Sequence, residues 1–313
     1  MEVQARSVKV TILADNTAKA PYVEEHGFSA FLDIETPEGP YRILFDTGRG
    51  ALFANAPIAG VNPFEADAVV LSHGHYDHTD ALAQFLEKQR EAGYPASIVY
   101  ASKHVFSPHY STRTGICRPI GLSPESCAAL ESCAALESCA ALESPGALDT
   151  RFESGKSGSG GFIPVDELLH IAGGSAFLGG AIPRTEPLEI PSPLLFSDKG
   201  CTVPDAMIDE LFLAVRTATG LFVLTGCCHA GVINTLEHAK ALSNGERIAV
   251  VAGGLHLAGC GAERLEATAG YLVRSGTGRA KTGHCSGKDE ERALAALAGG
   301  IVSPFECGST LVL

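Results

Sequence analysis

Residues 68–78, AVVLSHGHYDH, set four metal-competent side chains within six residues of a short apolar run. A continuous apolar stretch of this kind reads as a strand buried on both faces. Imidazoles and a carboxylate crowded against such a strand are costly to desolvate unless a cation compensates them, so the segment predicts a metal centre at a strand end. Imidazole nitrogen suits zinc and related first-row ions, and the carboxylate lowers the net charge of the site. On an extended or turning segment His73 and His75 face one ion, while Asp77 and His78 reach a second.

The surrounding pattern alternates strands and helices. Strands are predicted at 7–13, from 28 into a hairpin turn at Pro37-Glu38-Gly39, at 41–45, 68–71, 96–102, 220–226 and 246–254, with a terminal strand-like 309–313. Helices are predicted at 81–93, capped by Thr79 or Asp80 and ended by Gly93, and at 228–242, 261–276 and 289–299. This is a layered α/β chain, and open α/β sheets place ligands at the carboxyl ends of their strands.

Residues 126–143 are three copies of SCAALE, a good helix former. A period of six advances about 600° at roughly 100° per residue, so Cys127, Cys133 and Cys139 stand about 120° apart and cannot share one ion within that helix. The leucines are spread the same way, leaving no apolar stripe, so the repeat is expected to be a solvent-washed helix in an excursion around 107–200. The flank ESGKSGSGG at 153–161 is flexible by composition.

The 313 residues allow one large domain or two, and no apolar run of about 18 residues is available to span a bilayer. A net charge of −13 repels phosphate backbones, so no nucleic-acid partner is expected. The opening MEVQARSVKVTIL lacks the pattern of a secretory signal, which predicts a cytoplasmic location, and the ten cysteines, without a CxxC pair, are expected as thiols or ligands. Neither a phosphate-binding GxxxxGK[ST] loop nor a GxSxG serine elbow is present.

SHGHYDH matches the HxHxDH signature of the metallo-β-lactamase superfamily, and FDTG at 45–48 matches the Asp-Thr-Gly turn one strand earlier. The chain resembles that superfamily over most of residues 7–290, outside the repeat. Segments 180–189, 224–236, 253–259 and 283–287 are similar to the branch of 7,8-dihydropterin-6-yl-methyl-4-(β-D-ribofuranosyl)aminobenzene 5′-phosphate synthases and related metal-dependent hydrolases. The resemblance implies a four-layer αβ/βα sandwich, 1–313 as a single domain, and two divalent cations, zinc first, with manganese or iron compatible with the same donors. It implies His73 and His75 on the first ion, Asp77 and His78 on the second, and a last ligand at His284. Where many members carry a bridging Asp, this chain has Cys227. Whether Cys227, His229 or neither completes the site stays open, with His229 favoured because imidazole matches the other ligands.

Asp46 is expected to orient a metal-bound imidazole rather than to bind, and His256 is either a further ligand or a group touching substrate. His104 is a reserve candidate; His26, His109, His170 and His238 are expected to be ordinary histidines. The expected function is hydrolysis of a small, phosphorylated or pterin-related molecule by a metal-activated water, with Asp77 orienting the nucleophile and His256 holding the leaving or charged group. The alternatives are a transferase like the phosphate synthases, an iron redox protein using Cys227, Cys228 and Cys285, and a binding protein with a decayed site.

Overall fold

Strand alternation sorts the apolar side chains onto two faces. Within Ser29–Thr36 and Gly39–Phe45, Leu32, Ile34, Ile43 and Phe45 turn to one side, while Phe31 and Leu44 turn to the other. Within Phe212–Thr217 and Gly220–Thr225, Leu213, Val215, Phe222 and Leu224 separate in the same way from Phe212, Ala214, Leu221 and Val223. A sheet apolar on both faces must be covered on both. The structure, a computed structural model describing residues 2–135, 147–148 and 159–313, meets that demand with two sheets face to face and helices outside each.

The first sheet runs in the order Thr310–Val312, Ser7–Ala14, Ser29–Thr36, Gly39–Phe45, Ala68–Val70, Ala96–Ser102, Ser159–Val165. The second runs Val302–Pro304, Arg279–Gly283, Ile248–Gly254, Gly220–Thr225, Phe212–Thr217, Ala176–Gly179, Leu168–Ile171, Ala147–Leu148. Helices Ala51–Ala59 and Leu82–Glu91 pack on the outer face of the first sheet, and Val232–Leu242, Ala262–Arg274 and Lys288–Leu297 on that of the second. This is the αβ/βα sandwich. Among the described residues no helix is long and apolar enough to cross a membrane.

Four expectations are corrected. Thr79 and Asp80 do not cap the helix after the motif: Tyr76–Thr79 forms its own short turn, Thr79 Oγ donates back to the His75 carbonyl (2.9 Å), and Leu82–Glu91 starts after Ala81 without a side-chain cap. The repeat is not simply washed by solvent. In helix Pro124–Ala135, Leu130 is fully buried beside Val105 and Phe162, and Ser126 Oγ donates to the Thr79 carbonyl (2.8 Å). The helix packs on Leu82–Glu91 and Ser159–Val165, with Leu130 buried and Cys133 and Ala134 partly buried against the same core. The rest of the repeat and residues 153–158 lie outside the described residues.

The excursion around 107–200 is also narrower than expected, because Ser159–Val165, Leu168–Ile171 and Ala176–Gly179 are paired strands of the two main sheets. Outside them, Tyr110–Ser111, Arg118–Pro119 and Leu195–Phe196 form a small third sheet. Finally, Cys117 and Cys201 are not thiols but a disulfide with Cα atoms 6.0 Å apart. Their separation of 84 residues gave no local signal; the small third sheet brings them together.

Phe222, fully buried between the sheets, tests the sandwich core. Phe222→Ala is expected to cost about 3–5 kcal/mol in urea denaturation, whereas truncating exposed Val203 to Ala changes stability by no more than about 0.5 kcal/mol.

Candidate metal centre

The 73–78 motif leaves the first sheet at the end of Ala68–Val70 and is locked by Asp46, which follows Gly39–Phe45. Asp46 is fully buried; Oδ1 accepts the Ser72 N–H (2.7 Å) and Oδ2 accepts the Ser72 hydroxyl (2.7 Å) and the His78 Nδ1–H (2.7 Å). Because the Ser72 proton is given to Asp46, Ser72 Oγ accepts from His73 Nδ1 (2.9 Å). His73 is thereby fixed as the Nδ1–H tautomer with its Nε2 lone pair turned inward, and His78 Nδ1–H is committed to Asp46, which leaves its Nε2 as the atom facing the site. Asp46 thus stands in the orienting position expected of it.

The second sheet meets this knot at Gly226, where a Cβ would lie 2.0 Å from Ser72 Oγ and 2.9 Å from Asp46 Oδ2. Only glycine lets the two sheet ends approach so closely. Leu211 N–H donates to the Ser72 carbonyl and Gly74 N–H to Asp209 Oδ2, both at 2.7 Å, so the motif backbone is held from the second half of the chain.

Four overlapping donor groupings result among the described residues, two of them made of histidines and a carboxylate only. Ligand atoms of His73, His75 and His229 lie within 4.8 Å of one another, as do those of Asp77, His78 and His284. His78 Nε2 and His284 Nε2 are 3.1 Å apart, and Asp77 Oδ2 is 3.6 Å from the latter. His284 is held by Asp15 Oδ1 on its backbone N–H (2.7 Å) and by Asn16 Oδ1 at Nδ1 (3.1 Å). Cys227 Sγ stands 3.2 Å from His78 Nε2 and groups with His73 and His78. Cys227 and His229 are therefore both at the site, in different places. Nε2 of His73, His75 and His229 is buried and has no hydrogen-bond partner among the described residues. Three converging Nε2 atoms, buried and unpartnered among the described residues, beside a carboxylate and a sulfur, fit a cation.

Burial pushes the imidazoles of His73 and His229 well below their ordinary range, His75 to about 3 and His284 to about 4, so all four are neutral donors at pH 7. Burial works against charge on His78 too, but the Asp46 and Asp77 carboxylates outweigh it and raise it to about 9. A cation entering there displaces that proton. Burial disfavours the Asp77 carboxylate, yet the neighbouring His78 and His284 bring it down to about 2.

His256 lies beside His229, ring centroids 4.3 Å apart, but belongs to neither of the two groupings without sulfur. His104 lines a separate cavity of about 400 Å³ with Arg184 and Glu210. Two discounted histidines sit at the site. His26 Nε2 is 3.3 Å from Asp77 Oδ2, and its ring stacks on His284 at 5.8 Å. His109 lies 5.0 Å from the His75 ring, between Asp205 and Asp209 (3.1 Å), whose carboxylates overcome burial and raise it to about 10. No sequence signal marked either, since each reaches the site from a loop. Glu210 was also missed; its Oε2 accepts the Ala230 N–H (2.6 Å) and its Oε1 the His229 N–H, which sets the His229 turn. His170 and His238 are remote, on strand Leu168–Ile171 and helix Val232–Leu242.

Asp46→Asn, which replaces the carboxylate that fixes His78, is expected to weaken metal affinity about 10–100-fold in chelator competition. Burial pushes the Glu210 carboxyl from its ordinary 4.5 up to about 7. A carboxyl raised on folding gives its full stability below pH 4.5 and loses it as pH rises through about 7. In metal-free protein, Glu210→Gln is therefore expected to remove roughly 2–3 kcal/mol of stability loss between pH 5 and pH 8, read by urea denaturation.

A sequence model of the Metallo-beta-lactamase superfamily matches residues 38–113, which include Asp46 and the 73–78 motif. The chain is 27% identical over 289 residues to the 7,8-dihydropterin-6-methyl-4-(beta-D-ribofuranosyl)-aminobenzene-5'-phosphate synthase of Methanocaldococcus jannaschii, covering 90% of this chain and 88% of that one. It is 31% identical over 264 residues to an uncharacterized protein of the same organism, covering 84% and 85%. Its fold is similar to that of Tm1679, a metal-dependent hydrolase of the beta-lactamase superfamily, with a TM-score of 0.71 at 24% identity over 97% of this chain and 98% of that one. The motif, the facing sheets and these likenesses agree: this chain belongs to the metallo-β-lactamase superfamily, whose members bind divalent metals.

Proposed function

We propose that the protein is a metal-dependent hydrolase of a small, phosphorylated or pterin-related molecule. The observation that carries this reading is the convergence of three buried, unpartnered Nε2 atoms beside the Asp77–His78–His284 group. In this reading His73, His75 and His229 hold one cation and Asp77, His78 and His284 a second, zinc first. Bound divalent cations supply a water of lowered pKa and polarise a carbonyl or phosphoryl oxygen.

The chain's own groups do the rest. Asp46 and Ser72 keep His78 and His73 in the donor tautomer, and Asn16 does so for His284. Asp77, with its carboxylate ionised at neutral pH, orients the nucleophile. His26, half-exposed and next to Asp77, is placed to exchange a proton with solvent at its Nε2. His256, beside His229 and outside both of these groups, is either a further ligand or the group that meets the charged part of the substrate. Substrate enters through a cavity of about 800 Å³ lined by His26, His284 and Cys285, where Arg113 and Lys288 are the cations offered to a phosphate, Lys19 being paired with Glu306 and Arg292 with Asp289, and where Asp15, Glu24 and Glu291 also stand.

A second reading, synthesis by group transfer, is favoured by the likeness to the Methanocaldococcus jannaschii phosphate synthase across nine-tenths of the chain. Both readings take residues 1–313 as one domain, a small-molecule partner, no nucleic acid and a cytoplasmic setting. The disulfide Cys117–Cys201 is the one observation that weighs against a reducing compartment.

Protein purified without chelator is expected to carry one to two equivalents of transition metal by elemental analysis. Across a panel of phosphodiesters, phosphomonoesters, lactones and thioesters, His75→Ala is expected to lose at least about 100-fold in turnover, beyond what a supporting residue costs. Trace metal in the wild-type protein, or full activity of the variant, overturns the reading.

A further inference from the structure

Three neighbouring parallel strands of the second sheet, Gly220–Thr225, Ile248–Gly254 and Arg279–Gly283, are in register at their carboxyl ends, Thr225 opposite Gly253 and Gly254 opposite Gly283. Each carries a soft or borderline donor two residues past its last residue: Cys227, His256 and Cys285. One ligand atom from each of the three lies within 4.8 Å of the others. Cys285 Sγ is 3.4 Å from the Cys227 carbonyl, and His256 Nδ1 is buried without a hydrogen-bond partner among the described residues. The backbone is set for this placement: His256 and His284 hold φ of 46° and 52°, left-handed conformations that a non-glycine residue rarely adopts, and a Cβ at Gly254 would meet Cys285 Sγ at 2.7 Å. Neither His256 nor Cys285 belongs to the groupings around His73–His78; only Cys227 is shared.

We infer that Cys227, His256 and Cys285 form a third, thiophilic cation site at the strand ends, next to the His/Asp pair of sites. Two thiolates and an imidazole select zinc or copper(I) over manganese or magnesium, a preference distinct from that of the neighbouring histidine–carboxylate groups. Binding of a zinc ion replaces the two thiol protons, which leave to solvent as the two Zn–S bonds form. Cys285 lines the 800 Å³ cavity and gives the ion its entry path, while Cys227 is closed off beneath it.

The test reads the rate of Cys285 alkylation by iodoacetamide in reduced, metal-stripped full-length protein, by peptide mass spectrometry, with and without added zinc. Zinc is expected to slow alkylation at least about tenfold, because a metal-bound thiolate is a poor nucleophile. Protection is expected to persist in His75→Ala, which breaks the His73–His75–His229 grouping, so this result is separable from the hydrolase reading. It is expected to fall below about twofold in His256→Ala. The wild-type measurement needs no variant, and circular dichroism checks that both variants fold. In the cobalt(II) form, Cys285→Ser should cut the near-ultraviolet thiolate-to-cobalt band to about half. An unchanged alkylation rate in the wild type, protection that depends on His75 but not on His256, or an unchanged cobalt band each overturns the inference.

Discussion

An imidazole nitrogen sealed inside a protein without a partner costs on the order of 1–3 kcal/mol, and His73, His75 and His229 each bury one such atom within reach of the other two. Moving the rings apart would relieve the cost, but Ser72, Asp46 and Glu210 prevent it by fixing rings and backbone from behind. The supporting hydrogen bonds therefore oppose the local stability of the metal-free chain and favour the arrangement a cation needs. Protons tell the same story. Four rings are kept neutral by burial; His78 and His109, each backed by two carboxylates, retain a charge, and of these two His78 is the one within a donor grouping, where a cation would replace it.

The rest of the architecture can be seen as the means of holding that collection together. The first sheet supplies Asp46 and the 73–78 turn, and the second supplies residues 227–229, 256 and 284–285. Neither half assembles the His73–His75–His229 or the Asp77–His78–His284 group alone. They meet where Gly226 presses on Ser72, and the apolar layer of Leu32, Ile43, Phe222 and Leu224 behind keeps the two edges aligned. Four of the nine non-glycine residues with positive φ among the described residues, Asp46, Cys228, His256 and His284, stand at this seam.

Much of this was legible in the order of residues. Alternating apolar positions gave most of the central strands, and the dense run at 73–78 located the centre, because both signals are local. The strands at Leu168–Ile171, Ala176–Gly179 and Phe212–Thr217 and the helix Ala51–Ala59 were not read; the helix carries Pro57 in its interior, and the strands lie beyond a repeat that suggested an excursion. The contributions of His26, His109 and Glu210, and the Cys117–Cys201 bond, depend on residues brought together from distant parts of the chain. The choice between Cys227 and His229 was framed as exclusive, whereas two residues of turn place one between the groupings and the other within the first.

The adjacent parallel strands impose a fixed pitch of roughly 4.8 Å on whatever side chains follow them. Cys227 and Cys285 follow strands two rungs apart, so it is the turns after those strands that bring their sulfurs, with His256 between them in the strand order, within 4.8 Å of one another. Because the donors stand just past the strands and not within them, exchanging Cys227 or Cys285 for a harder donor would change the softness of this corner while the strand pairing beneath it stays as it is.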